Sequence, residues 1–557
     1  MAKELIIHAL TESLARAQQG GEVPEGVPAP IELQAPREAR HGDFSTSLAM
    51  VIASAAGGKA RDIAEAIVRH IQIPEGVVDK VEIAGPGFIN FTLTPQWLHG
   101  TVKRIHREGE DFGRSHTGGG AKLLLEFVSA NPTGPLAVVN GRAAALGDAL
   151  AHLLERTGWV VSREYYVNDA TNSTQVRRFA ETLEARYLQQ LGQEATVPED
   201  GYQGDYVIDM AARLVAAEGD HYLKMSQQER LDALCQYSLA KIVEGHQRDM
   251  AAFGVHFDTW FMESSLYARD EVSAAMEALK GGGHTYEADG ALWLRATDFG
   301  DDQDQVLIRN DGRPSYLAAD IAYHKNKFDR GFYRLIDIWG PDHHGHVKRT
   351  KAGVEALGCD SSRFEILIHQ IVRLFRGAEM VRMSKRAGDI IPLSGLLEDV
   401  GRDAARFFFL MQSMESHLDF DLELAKKQAA ENPVYYVQYA HARICSILRE
   451  GEARGVTPAA IDGVSLDRLR EPDELSLMRK LAELPDEVEQ AAARFEPHRM
   501  TRYSRELAAV FHGFYTNCRV LGDDAELTTA RLALVLAART VLRIVLRIMG
   551  VSAPEQM

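Results

Sequence analysis

A short apolar strand, a turn rich in proline and glycine, and a long alanine-rich helix follow one another from Lys122: KLLLEFV, then SANPTGP, then GRAAALGDALAHLLERTG. A continuous apolar run, without alternation, marks a strand covered on both faces, and a helix returning directly over it is the unit from which parallel sheets are wound. The same succession recurs in WVVSREYYVND, in YRLIDIWGPDHHGHVKRTKAGVEALG and in FEILIHQIVRLF. Together these units predict an α/β fold with an open, doubly wound (Rossmann-type) parallel sheet, whose ligands sit beyond the carboxyl ends of the strands.

At 557 residues the chain is too long for one hydrophobic core, and three or four units are expected. Residues 1–112 combine helical spacing in DFSTSLAMVIASAAGGKARDIAEAIVRHI with strand-like alternation in VDKVEIAGPGFINFTL, which predicts an α+β domain. FGRSHTGGGA reads as a linker, with its glycine run at Gly118, Gly119 and Gly120. The α/β domain then spans 121–395, and within it 185–285 is helical and polar, as an insertion or connective region would be. From 396 to 557 every long stretch has helical period, so the last domain is expected to be all-α.

No run of eighteen apolar residues occurs, and the start MAKELIIHALTESLARA carries acidic residues where a signal peptide has a basic end and an apolar block. A cytoplasmic protein with no membrane partner is expected. Cys235, Cys359, Cys445 and Cys518 lie far apart without a CxxC pair, which argues against a zinc site and a disulfide framework and for core thiols. The formal net charge of −17 would repel RNA if it were spread evenly. Arginines cluster at 363–386 and 531–547, however, so a basic face on an acidic body stays open beside the alternative of a solvated surface with scattered pairs.

The most specific short signal is RMSKRAGD, Arg382 to Asp389. Cations flanking Met-Ser on a glycine-bounded loop suit transient triphosphate binding, with Lys385 placed to stabilise charge on a leaving pyrophosphate. Alone the pattern would be an ordinary basic turn; its place, well behind a strand–turn–helix unit of nucleotide-site character, changes that reading. In SYLAADIAYHKNKF, Tyr316 and Asp320 are four apart on an expected helix and share one face, as a surface pair also would. His343, His344 and His346 fit none of the usual zinc spacings, and no metal is expected there.

With RMSKRAG in this position, the chain resembles bacterial arginyl-tRNA synthetases, of the class I aminoacyl-tRNA synthetases, from end to end. The resemblance implies ligation of L-arginine to its tRNA through an arginyl-adenylate, with ATP and Mg2+ as substrate, no bound prosthetic group, and a monomeric enzyme. It implies that Lys385, with Met383, Ser384 and Arg386, forms the KMSKS-type catalytic loop, Arg382 standing where Lys is usual. EFVSANPTGPL, from Glu126, matches the stretch leading into the HxGH signature, but the signature itself reads Ala137, Val138, Val139, Asn140. By resemblance, Thr133, Ala137, Val139, Asn140 and Gly141 join Lys385 at ATP.

In the family the two histidines bond the ATP phosphates and the glycine lets adenine lie against backbone. Losing each phosphate contact costs about 1.5–3 kcal/mol, and valine in the glycine slot adds roughly 1–3 kcal/mol, so adenylate formation is expected to be weakened about a thousandfold or more. Asn140 restores at most one hydrogen bond, and the helix amino terminus still favours phosphate. A weakened enzyme and a paralogue that binds tRNA without using ATP both remain open. The resemblance assigns arginine binding to Glu126, Asn131, Tyr316, Asp320 and Asp342, a set that disfavours a synthetase for another amino acid. A guanidinium needs just such a planar carboxylate partner. It assigns tRNA binding to Tyr436, Tyr439 and Arg443 along one side of the helix in ENPVYYVQYAHARICSILR, to Met557, and to Phe44 and Asn90 (with Phe91) at the tRNA elbow. Core packing is the alternative for Tyr435 and for the amino-terminal positions.

Overall fold

Among the described residues of the computed structural model, 2–26, 30–34, 36, 38, 41–170, 174–377, 379–381, 391–456 and 464–557, five strands build the sheet expected from the apolar runs. They are β1 (Lys122–Glu126), β2 (Val160–Val167), β3 (Thr259–Met262), β4 (Arg334–Trp339) and β5 (Phe364–Ile368). Every neighbouring pair is parallel, and the order across the sheet is β5-β4-β1-β2-β3. The winding direction therefore reverses between β1 and β4, and the crevice beyond their carboxyl ends is where such a sheet binds ligand.

Three helices frame that crevice: α1 (Val138–Arg156) follows β1, α2 (Tyr316–Asp329) precedes β4, and α3 (Val347–Ala356) follows it. Fifteen of the nineteen residues of α1 are buried, which explains its alanine-rich composition: small side chains let the sheet and the later helices close on it from all sides. At Gly147 a Cβ would lie 2.3 Å from the Phe127 ring, so only glycine admits this approach.

The structure departs from the expected boundaries in three places. β3 lies within 185–285, so the helical insertion is confined to Thr174–Gln190, Asp205–Glu218 and Gln227–Phe253, with a core of its own around Phe179, Leu183, Val207, Leu214 and Leu234. Beyond it a small antiparallel sheet joins Thr285–Ala288, Ala291–Leu294 and Gln305–Ile308. Past residue 396, Leu418–Asp421 is a strand, parallel to Val372–Arg376; its Leu-Asp-Phe-Asp alternation is too short to register against the helical stretches around it. The glycine-rich segment after Phe112 is strapped down, with Ser115, Gly118 and Gly120 donating to the carbonyls of Arg156, Thr157 and Gly158.

The amino-terminal domain packs the helices Leu48–Ala56 and Ala60–His70 on an antiparallel sheet, Phe44–Thr46, Phe88–Leu93 and Val78–Ala84, and Asp43 ties it to Arg479 of the helical domain at 2.5 Å. Arg406, fully buried, gathers three parts of the chain: it pairs with Asp148 of α1 and donates to the carbonyls of Met549 at 2.9 Å and Phe253 at 3.2 Å. No helix among the described residues is long and apolar enough to cross a membrane.

Candidate active site

Glu126 closes β1 and is 4% exposed. Lys327, on α2 and fully buried, donates to Glu126 Oε2 at 2.6 Å and to Asp337 of β4 at 2.8 and 2.9 Å. His324 faces Asp337 Oδ2 through Nε2 and the Asp320 carbonyl through Nδ1, both at 2.7 Å. On β2, Glu164 accepts a bidentate pair from Arg330 at 2.6 and 2.8 Å and the Tyr323 hydroxyl at 2.6 Å. Three buried carboxylates are thus matched by neighbouring cations, which is the condition for placing charge in a low-dielectric interior. Burial pushes Glu126 up, against the pull of Lys327. Burial would raise Asp337 as well, but Lys327 and His324 outweigh it and hold that carboxyl below its ordinary range.

Glu126, expected to grip arginine, already accepts from Lys327 at Oε2 and from the Ser129 hydroxyl at Oε1 at 2.8 Å, and with Lys327 and Asp337 it forms a charge-paired floor. Above that floor stand Asp320 and Glu263, and among the described residues no ion pair engages either. Burial, with the charge of Glu126 adding, raises Asp320 to about 6. Burial, with the charge of Asp320 adding, raises Glu263 to about 7, and Tyr166 shares a hydrogen bond with it. Asp320 thus raises Glu263, while the charges of His324, Arg349 and Lys327 pull Asp320 the other way. Sequence reading missed Glu263 and Tyr166. The signal was the apolar TWFM before Glu263, hidden because β3 lies in a stretch read as insertion.

The other expected arginine positions have these settings. Tyr316 opens α2, 54% exposed, with the Arg309 guanidinium 6.0 Å from its ring centroid. Asn131 is exposed and donates to Gln175 at 2.9 Å. Asp342 is exposed on the short helix Pro341–His346 after β4. There the His343 ring lies 5.8 Å from Trp339 and 5.3 Å from His346, whose imidazole burial depresses to about 4.

On the nucleotide side, Ala137 is the N-cap of α1 and offers no side-chain oxygen. Asn140 Oδ1 instead accepts from the Ala137 N–H at 2.9 Å. Val138 is fully buried, Val139 half-buried, and Thr133 half-buried with its carbonyl held by Tyr206 at 2.9 Å. Gly141 is buried where a Cβ would meet Leu393 at 2.6 Å and Phe409 at 3.1 Å, so its small size serves packing. The Ala137 main chain bridges Pro392, and Leu393 N donates to the Leu136 carbonyl at 2.7 Å. Lys385, with Met383, Ser384 and Arg386, lies outside the described residues; the strand Glu379–Val381 and the bridge at Pro392 flank that segment, and Pro392 meets the start of α1.

In the helical domain, Arg443 sits over the rings of Tyr439 and Tyr515 at 5.5 and 5.4 Å and donates to the Tyr439 hydroxyl at 2.5 Å. Tyr436 and Tyr439 flank His512 at 5.0 and 6.0 Å, and Tyr435 stacks on Tyr439 at 6.3 Å. Met557, 54% exposed, lines an 840 Å³ cavity with Tyr435, Gln438, Asn432 and Arg402. Phe44 and Phe91 face each other across two strands, and Asn90, 6% exposed, accepts from Ser45 through Oδ1 at 2.6 Å.

A doubly wound sheet with carboxyls gathered at its switch point, a nucleotide-type helix start bridged to Pro392 beside the basic segment RMSKR, and a carboxy-terminal helical domain define a class I aminoacyl-tRNA synthetase. Three family models match along the chain: the arginyl tRNA synthetase N terminal domain at residues 4–93, the class I (R) tRNA synthetase catalytic domain at 102–444, and the DALR anticodon binding domain at 437–557. An arginine–tRNA ligase of Moorella thermoacetica is 50% identical over 555 residues, covering 100% of this chain and 99% of that protein. One of Desulforudis audaxviator is 52% identical over 531 residues, covering 95% and 94%. The solved arginyl-tRNA synthetase of Thermus thermophilus shares the fold at a TM-score of 0.77 and 22% identity, covering 99% of this chain and 100% of that one. The chain belongs to the arginyl-tRNA synthetase family.

Proposed function

We propose that this chain ligates L-arginine to its tRNA, with the guanidinium held by Asp320 and Glu263 above the neutralised floor of Glu126, Lys327 and Asp337. The observation that carries this reading is the pair of carboxyls of Glu263, buried, and Asp320, half-buried, with no ion pair to either among the described residues, a match for a planar, permanently charged group with five donors. Tyr316 covers the side chain, while Asn131 and Asp342 lie where the ammonium group would find polar partners. The arginine carboxylate attacks the α-phosphate of ATP in line, Lys385 and the Mg2+ carried with ATP stabilise the leaving pyrophosphate, and the arginyl group passes to the terminal ribose of tRNA.

ATP is bound by α1 main-chain N–H groups, and Asn140, its carbonyl engaged at the helix cap, has only its amide group left to offer a phosphate. The rate is therefore set below that of a chain with histidines at 137 and 140. The lack of any charged side chain at 137–140 also favours a second reading, a tRNA-binding paralogue that does not use ATP. Charging of arginine tRNA, measured beside filter binding of the same tRNA, separates the two: slow charging with tight binding supports the ligase, and tight binding with no charging at any enzyme concentration supports the paralogue.

A further inference from the structure

The turn between β1 and α1 holds two non-glycine residues in left-handed backbone, Val128 at φ 71° and Ser129 at φ 38°. A β-branched residue there is strained and stays only where its surroundings over-determine it. Ser129 is held by Glu126 and Tyr166, and the residues that follow, 131–134, are held by the helical insertion. The Tyr206 hydroxyl donates to the Thr133 carbonyl at 2.9 Å, and a Cβ at Gly134 would come within 3.0 Å of that hydroxyl. Gln175 accepts from Asn131 at 2.9 Å.

His246 makes the most specific contact. Its Nε2 lies 2.8 Å from the Gly134 carbonyl, which only accepts, so Nε2 donates. Its Nδ1 lies 2.9 Å from the Tyr165 hydroxyl, which in turn accepts from the Ala130 N–H at 3.1 Å. One chain of hydrogen bonds thus runs Ala130, Tyr165, His246, Gly134 and staples the two ends of the turn. Both side chains are sealed in: His246 is 1% exposed, and Tyr165, fully buried, stacks on Trp260 at 4.2 Å with the edge of Phe257 at 5.3 Å.

We propose that His246 and Tyr206 are positioning residues for adenylate formation, through which the insertion sets the main-chain path of residues 130–134 and the point where α1 meets the ATP phosphates. The proposal rests on the ligase reading above and adds the part that holds the nucleotide half in place. Because the side chains at 137–140 carry no charge, phosphate contact falls to main-chain N–H groups, whose worth depends on where the turn puts them.

The test is ATP–pyrophosphate exchange by the full chain, with arginine and tRNA present, alongside amide hydrogen exchange of the peptide covering 127–137. His246→Leu is expected to lower kcat about tenfold and raise KM for ATP, leaving KM for arginine within about twofold. Tyr206→Phe is expected to cost about threefold. His246→Gln, able to donate to Gly134 and accept from Tyr165, is expected to recover to within about threefold of the unaltered chain. The peptide loses protection in His246→Leu and keeps it in His246→Gln. Unchanged exchange kinetics and protection in His246→Leu would overturn the proposal, as would equal losses in the Leu and Gln variants that track a fall in Tm. If the unaltered chain shows no exchange, the ligase reading fails, and peptide protection alone decides: loss in His246→Leu supports the staple and no loss refutes it.

Discussion

Beneath the amino-acid pocket, Glu126, Asp337 and Glu164 each meet a cation at 2.6 to 2.8 Å, whereas across the crevice the residues from Ala137 to Gly141 carry no ionisable side chain. On the proposed reading, the first half recognises arginine through Asp320 and Glu263, which no ion pair engages among the described residues. The second offers a helix start, an uncapped alanine and whatever the cationic segment brings. Specificity and phosphate binding are thus built from separate materials in one crevice, and each can be perturbed alone.

The largest effect is expected from Lys327→Met, which strands Glu126 and Asp337 in the interior. Removing one partner of such a buried set costs about 3–5 kcal/mol, to be read as lowered Tm and a lower denaturant midpoint. An unchanged midpoint would mean that the floor is not charge-balanced as described. Next comes Asp320→Asn, expected to weaken arginine binding about a hundredfold in calorimetry without lowering Tm, because the lost carboxyl was itself disfavoured by burial. Equal arginine affinity in that variant would break the contrast between floor and pocket.

A smaller effect follows from pH. Asp320 and Glu263 titrate at about 6 and about 7, above the values of an unfolded chain, so the folded protein holds these protons more tightly. Their cost to stability is present above about pH 7 and is relieved as pH falls through both values. Arginine binding runs the opposite way, since protonation removes the acceptor, and about a tenfold loss of affinity is expected between about pH 8 and about pH 6. In the doubly altered Asp320→Asn, Glu263→Gln chain the pH dependence of Tm over that window should flatten; a curve unchanged from the parent would place the titration elsewhere.

The sheet was legible because KLLLEFV, RLIDIW and FEILI declare buried strands through composition alone, without reference to neighbours. β3 was not: four residues between helices give too little periodicity to separate from an insertion. Asp320 could be found from its place on α2, but its partner Glu263 arrives from a distant strand. Lys327 reads in sequence as one more solvated helix lysine, and only the convergence of α2, β1 and β4 makes it the centre of the floor. Glu126 was assigned to arginine by resemblance, and sequence could not show that Lys327 and Ser129 already bond its two oxygens. Likewise, nothing in the polar helices of 174–253 announces that Tyr206 and His246 reach the nucleotide turn; that depends on how a separately cored module docks.

The most direct test of the division between the two halves is arginine-dependent ATP–pyrophosphate exchange, with tRNA present, in the unaltered chain and in Ala137→His, Val139→Gly, Asn140→His combined. The expected result is a rise in kcat/KM for ATP on the order of a thousandfold, with KM for arginine unchanged within about twofold. Contradiction would come from an unaltered chain that already exchanges as fast as the triple variant, or from a triple variant whose gain appears in arginine affinity.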